Sequence, residues 1–222
     1  MICDADTHGR DLARLAPAIE AVLACAAAGA IALVERDPRG TDDRARLARL
    51  RRFRTLCDTH GAALVVAGRA DLALAAHADG VQLPERGLSP EAVAALVTRA
   101  GPARPLAIGR SCHDQAGLLA AEAQGADWAF LSPIFAPHSK PAASPPLGLD
   151  GFAATIAGLA LPVAALGGVL PAHVAPLLAA GACGVATIGA LLGTADPAAR
   201  ACEFLVALAR ARPSADPGTL GG

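Results

Sequence analysis

The chain has no tyrosine, one tryptophan, one methionine and, in Lys140, one lysine. Aromatic residues make up 3% of its 222 positions and the formal net charge is −1. A nucleic-acid surface needs excess positive charge and stacking rings, so that class is excluded. No Cys-x-x-Cys pair occurs; Cys3, Cys25, Cys57, Cys112, Cys183 and Cys202 are widely scattered. That spacing excludes a zinc site of the finger or ribbon type. Reduced thiols in a cytoplasmic protein are the expectation, and nothing at the N-terminus resembles a signal peptide. No Asp, Glu, Lys or Arg occurs from 151 to 195. Pro162, Pro171 and Pro176, with Gly167-Gly168, Gly181 and Gly184, cut that stretch into short pieces. None could span about 30 Å of hydrocarbon, so no membrane segment is expected.

What is present is alternation. Short β-type runs at 31–35, 63–67, 80–83, 105–109, 128–131, 162–166 and 184–188 are separated by stretches rich in Ala, Leu and Arg. Those stretches read as helices over 11–28, 42–60, 70–77, 90–100, 114–124, 149–158, 172–180 and 196–211. Ser89-Pro90 and Asp196-Pro197 are cap-then-proline starts, and Gly29, Gly61, Gly125 and Gly181 close helices. Gly125-Ala-Asp127, Gly181-Ala-Cys183 and Ala78-Asp79-Gly80 repeat one helix-to-strand turn. The pattern predicts a parallel sheet with helices outside. With Met1-Ile2-Cys3 as a stub of one more strand, it predicts a single-domain α/β fold, a (β/α)8 TIM barrel over 1–211 with a truncated first strand. An open edge there would expose unpaired backbone groups and invite a homodimer. Residues 212–222, rich in Pro, Gly and Ser, predict a disordered tail.

In such a barrel, chemistry gathers at the C-terminal ends of the strands. Those ends carry Glu35-Arg36-Asp37, Gly68-Arg69 with Asp71 close by, Gln82 then Pro84-Glu85-Arg86, and Arg110-Ser111-Cys112-His113. The sixth strand is followed by Ser132 and a loop holding His138, Ser139 and Lys140. A sole lysine in a Pro-rich loop after an apolar strand stands where an α/β enzyme puts an anion-binding group. The last two strands end in Gly167-Gly168 and Ile188-Gly189. Glycines there suit a phosphate held by backbone N–H groups, although ordinary tight turns use the same residue. Arg36 could clamp a diphosphate bidentately or form a structural salt bridge. Cys112 and His113 do not read as a nucleophile pair, because sequence neighbours rarely face each other. His113 and His138 are candidate acid/base groups. His8, His60, His77 and His173 read as surface residues.

Taken in order, several segments carry a family likeness. They are Gly109-Arg-Ser-Cys-His-Asp114, Gly125-Ala-Asp-Trp-Ala-Phe-Leu-Ser-Pro-Ile-Phe135 through Ser139-Lys140, and Leu147-Gly148. Ala165-Leu-Gly-Gly-Val169 and Gly184-Val-Ala-Thr-Ile-Gly-Ala190 complete the set. This series resembles the thiamine-phosphate synthase and TenI (thiazole tautomerase) superfamily over roughly 26–204. The resemblance implies a (β/α)8 barrel acting on small phosphorylated substrates. It implies that an aminopyrimidine diphosphate loses pyrophosphate and that a thiazole phosphate nitrogen captures the methylene cation, with Mg²⁺ and cations on the leaving group. By the same resemblance, Lys140 and Arg36 bind diphosphate and Ser111 lies on the pyrimidine side. Ser139, Gly167, Gly168, Ile188 and Gly189 form the thiazole-phosphate region.

The chain departs from the family pattern at named places. Where the synthase has Asn-Asp at the end of strand 3, this chain has Ala67-Gly68, and the aspartate after strand 4 is replaced by Gly87. Bound Mg²⁺ is therefore in doubt, with Asp71 and Glu85 as the nearby carboxylates. Pro38 replaces a strand-2 lysine, Val34 a glutamine, and Pro133 the tautomerase's histidine. The favoured expectation is a transferase of the synthase type. A thiazole phosphate isomerase, or a non-catalytic binder of a phosphorylated thiamine precursor, remains as the alternative.

Overall fold

The computed structural model of the protein describes residues 1–9, 11–38, 40, 42–102, 104–136 and 145–211. The chain opens with β1 (Ile2–Asp4), α1 (Ala5–His8), a 3₁₀ turn over Leu12–Leu15, α2 (Ala16–Ala24) and β2 (Ala32–Arg36). Next come α3 (Asp43–His60), β3 (Ala63–Ala67), α4 (Ala70–Ala75), β4 (Gly80–Leu83), α5 (Pro90–Ala100) and β5 (Ala107–Cys112). They are followed by α6 (Gln115–Ala123), β6 (Trp128–Leu131), α7 (Gly148–Ile156) and β7 (Val163–Leu166). A 3₁₀ turn (Pro171–His173), α8 (Val174–Ala179), β8 (Gly184–Ala186), α9 (Gly189–Leu192) and α10 (Pro197–Ala211) complete the described part.

The strands form one parallel sheet in sequence order from β1 to β8, the (β/α)8 barrel expected. β1 is three residues long, as is β8. The expected open edge is tied between them by the Ile2 N–H, which donates to the Thr187 carbonyl at 2.9 Å. The expected tail, 212–222, lies outside the described residues.

Period-two alternation divides the apolar residues into two cores. Outward-facing Leu33, Leu64, Val66, Val81, Ile108 and Leu131 are buried against helix residues such as Ile19, Leu50, Phe53 and Leu118. Inward-facing Ile2, Val34, Val65 and Ala186 meet Trp128, Phe130 and Leu166 inside the barrel. The single tryptophan plugs that interior. A Cβ at Gly80 or Gly109 would collide with its ring, so both facing positions are glycine.

The recurring helix-to-strand turn has one hydrogen-bond pattern. The backbone N–H groups of Asp79, Asp127 and Cys183 donate to the carbonyls of Leu64, Ile108 and Val163 on the preceding strand. The Asp79 and Asp127 carboxylates then accept from Leu64 N–H at 2.8 Å and Ile108 N–H at 2.6 Å. Each turn thereby ties the base of one strand to the next.

Two of the boundaries that differ from the sequence reading have plain physical causes. The helix expected over 11–28 is split: Pro17 lacks an N–H and sits in the first turn of α2, with a 3₁₀ turn before it. β5 runs on to Cys112, because Ser111 and Cys112 stay in register with Phe130 and Leu131 of β6. Ser111 therefore faces inward, while Cys112 is buried on the outer side.

Candidate active site

Two cavities open at the C-terminal ends of the strands. The first, about 490 Å³, is lined by Arg36, Asp37, Arg46, Gly68, Arg69, Gln82 and Ser111 at its polar side. Ile2, Val34, Ala67, Phe130, Leu166 and Ile188 make its apolar wall. The second, about 400 Å³, is lined by Thr7, His8, Gly167, Gly168, Thr187, Gly189, Thr194 and Arg200, again with Leu166 and Ile188. The two cavities thus share Leu166 and Ile188 as a common wall.

Arg36 ends β2 on the inward face, where alternation after Val34 puts it. Its Nη1 donates to Asp4 Oδ1 at 2.5 Å, and Asp6 Oδ2 lies 3.8 Å away. The neighbour on the other face, Glu35, is fully buried under α3. It accepts from Arg46 Nη2 at 2.7 Å and from Arg49 Nη2 at 2.5 Å, and Arg49 also reaches Asp37 at 2.9 Å. Arg46 further donates to the Ala67 carbonyl at 2.9 Å, which fixes it against the end of β3. Arg69 is held by two carboxylates, Asp43 at 2.7 Å and Asp71 at 2.6 Å. Hydrogen bonds to those groups hold the Arg69 guanidinium well above the ordinary arginine value, and the same bonds keep both carboxyls below theirs.

Deeper in the first cavity, Gln82 Nε2 donates to Ser111 Oγ at 3.1 Å. Gln82 is buried, and its Oε1 has no hydrogen-bond partner. In the second cavity, Gly167 and Gly168 adopt φ of 98° and 61°. A Cβ on Gly168 would lie 2.6 Å from the Ala136 carbonyl oxygen, so these glycines also let the β6 loop pack against β7. The Ile134 and Phe135 N–H groups donate to the Leu166 and Gly167 carbonyls across that contact.

The sequence profile described as thiamine monophosphate synthase matches residues 2–191. The chain belongs to the thiamine monophosphate synthase family. It is 42% identical over 200 residues to a putative thiamine-phosphate synthase of Geobacter sulfurreducens, covering 90% of this chain and 88% of that one. It is 39% identical over 207 residues to the thiamine-phosphate synthase of Methanoculleus marisnigri, covering 92% and 90%. The thiamine phosphate pyrophosphorylase of Pyrococcus furiosus superposes with a TM-score of 0.77 at 25% identity, covering 95% and 94%.

Set against the synthase family pattern, the structure brings Arg36 and Ser111 together in the first cavity. Gly167, Gly168, Ile188 and Gly189 meet in the second. His138, Ser139 and Lys140 lie outside the described residues. His113 lines neither cavity; its Nδ1 is 2.5 Å from the Ser132 carbonyl oxygen and its ring is half exposed. Asp71 and Glu85 also line neither cavity. Asp71 is engaged by Arg69, and the Glu85 carboxylate faces His113 Nε2 at 3.9 Å.

The Mg²⁺ that the family implies finds no matching donor set at these positions. Gly68 and Gly87 offer no side-chain oxygen, and Asp71 and Glu85 are committed elsewhere. Among the described residues, no three His, Cys, Asp or Glu side chains converge as metal ligands. Also among them, no helix is long and apolar enough to cross a membrane. All six cysteines are free thiols. Burial pushes Cys3 up to about 12 and Cys57 and Cys112 to about 11, so none of these three is a ready nucleophile.

His8 corrects the sequence reading, which had it on the surface. It is buried, 7% exposed, in the wall of the second cavity. Its Nδ1 accepts the Asp4 backbone N–H at 3.1 Å, which leaves the proton on Nε2, and Nε2 has no partner. The sequence reading assigned no role to Asp4 or Arg46, and named Gln82 only as a residue at the end of its strand. Gln82 had a visible signal, a polar residue at the inward position of an otherwise apolar strand. Arg46 and Arg49 had another, three residues apart on one helix face, opposite a glutamate in an apolar strand.

Proposed function

We propose that the chain is a thiamine-phosphate synthase-type transferase, joining an aminopyrimidine diphosphate to a thiazole phosphate with release of pyrophosphate. One observation carries this reading: the two cavities share a wall at Leu166 and Ile188. A reaction that joins two substrates needs two compartments whose contents can touch.

In this reading the pyrimidine ring lies against Phe130 and Ser111, whose Oγ is held by Gln82 Nε2. The diphosphate points toward Arg36, whose orientation is set by Asp4. The bond between the pyrimidine methylene carbon and the bridging oxygen breaks, and its electron pair leaves with pyrophosphate. The lone pair of the thiazole nitrogen forms the new C–N bond and leaves a thiazolium cation. No proton needs to move in that step. The apolar wall keeps water from the carbocation-like centre. The thiazole phosphate sits in the second cavity, with Gly167, Gly168 and Gly189 allowing close backbone approach and the Thr7 and Thr194 hydroxyls nearby. By the family resemblance, Ser139 belongs to the thiazole-phosphate region and Lys140 binds the diphosphate.

The test is formation of thiamine phosphate from the two purified substrates, followed by chromatography with and without added Mg²⁺. Product above the enzyme-free control supports the transferase; its absence under both conditions rejects it.

A further inference from the structure

The first cavity carries guanidinium groups at the end where the family pattern places metal-binding carboxylates. Arg36, Arg46 and Arg69 line it, each oriented by carboxylates behind the wall (Asp4 and Asp6, Glu35, and Asp43 and Asp71), and among the described lining residues the one carboxylate is Asp37, which accepts from Arg49. We infer that this chain holds the diphosphate end of its substrate with these arginines and without a protein-bound divalent ion. The inference rests on reading the first cavity as the diphosphate side.

Three features support it. The Arg46 side chain is 4% exposed, and its Nε and Nη2 are fixed by Glu35 and the Ala67 carbonyl. Its Nη1 has no acceptor among the described residues and belongs to a side chain in the cavity wall. A buried, pre-oriented guanidinium with a donor to spare is a built anion site, because its ordering has already been accomplished by folding. Among the described residues, Arg36 donates through Nη1 to Asp4, with Asp6 also near that nitrogen, and its guanidinium lies in the cavity wall. Arg69 follows Gly68 directly and is held in place by Asp43 and Asp71, so its charge stays at the rim.

The chemistry is complete without a metal. As the methylene carbon–oxygen bond breaks, negative charge grows on the bridging oxygen. Guanidiniums fixed beside it stabilise that charge, as a cation clamp does in other phosphoryl chemistry. Gly68 shows why a carboxylate there would interfere. A Cβ at that position would meet nothing within 4 Å, although φ of 76° makes any side chain there strained, and an aspartate would stand beside Arg69.

The experiment is calorimetric titration of the full chain with inorganic pyrophosphate, in EDTA and then in excess Mg²⁺. Binding in EDTA is expected within about threefold of that in Mg²⁺. Arg69→Gln should weaken metal-free binding by about tenfold, one charge-assisted contact at a partly exposed site. Arg46→Lys keeps the charge on Glu35 but removes the spare Nη1 donor, and should weaken it similarly. Gly68→Asp should also lower metal-free affinity. Binding that requires Mg²⁺, or that is unchanged in both Arg69→Gln and Arg46→Lys, overturns the inference. Metal-free pyrophosphate binding without any thiamine phosphate formation would reject the transferase and leave the inference standing, so the two readings fail separately.

Discussion

Asp4 on β1 and Arg36 on β2 are register partners, and the carboxylate of the first holds the guanidinium of the second at 2.5 Å. Asp4 is 2% exposed and also accepts from Thr7 Oγ1 at 2.8 Å. One buried carboxylate therefore orients a cation of the first cavity and a hydroxyl of the second.

The pair gives the first prediction. Arg36→Gln should lower kcat/KM for the diphosphate substrate roughly 10- to 150-fold, the loss of charge-assisted hydrogen bonds worth about 1.5–3 kcal/mol. Asp4→Asn should lower Tm as well as activity. Arg36 is 42% exposed, so the stability loss lies nearer the about 1 kcal/mol of an exposed pair than the about 3–5 kcal/mol of a buried one. Steady-state kinetics and thermal melts check both; wild-type kinetics in Arg36→Gln would remove Arg36 from the site.

Two glycines of the second cavity separate packing from binding. Gly168→Ala meets the Phe135 and Ala136 carbonyls at φ 61° and should cost at least about 1–2 kcal/mol for the backbone alone. Gly189→Ala meets only Thr7 Cγ2, at 3.8 Å, and begins α9, so Tm should hold or rise. The added methyl intrudes where the phosphate is placed, and KM for the thiazole phosphate should rise. An unchanged KM in Gly189→Ala would make Gly189 an ordinary turn.

Gln82 predicts opposite signs for stability and activity. Its buried, unpartnered Oε1 costs about 1–3 kcal/mol, much of which Gln82→Leu removes at similar volume. Tm should stay level or rise, while kcat/KM for the aminopyrimidine substrate falls about tenfold or more. A variant that loses stability and keeps full activity would show that Gln82 serves packing.

His8 predicts a pH dependence of stability. Burial holds its pKa below the ordinary 6.5, against the opposing charge of Asp4 and with a smaller lowering from Arg14. Between the native and unfolded values the unfolded chain binds more protons, so stability rises with pH. The His8 contribution should be complete above about pH 6.5 and be lost progressively as pH falls toward the native value. Melting His8→Gln alongside the wild type between pH 5 and 7 (roughly the histidine range) should show a flatter slope in the variant; parallel slopes would assign the dependence to other groups.

The barrel was legible because its strands are short, apolar and regularly spaced, and β3, β4 and β6 match their expected limits. The glycine turns after β7 and β8 were legible for the same reason. The ionic layer under α3 was not. Glu35, Arg46 and Arg49 are charged residues that a sequence reading places in water, and only the packing of α3 on β2 shows them buried together. His8 was missed likewise, since α1 is a four-residue helix that no periodicity marks. Ser111 was read as a loop residue, because the register of β5 with β6 decides where that strand stops.

The wall made by Leu166 and Ile188 bears on what happens after bond formation. On the proposed reading each substrate occupies one cavity, whereas the product is a tethered ligand reaching into both. Its two halves hold one another at high effective concentration, so the product should leave more slowly than either substrate. Departure of pyrophosphate from the arginine rim then becomes the event that loosens one end. Turnover would be governed by release, and a rapid first round followed by a slower steady rate is the kinetic form that this wall imposes.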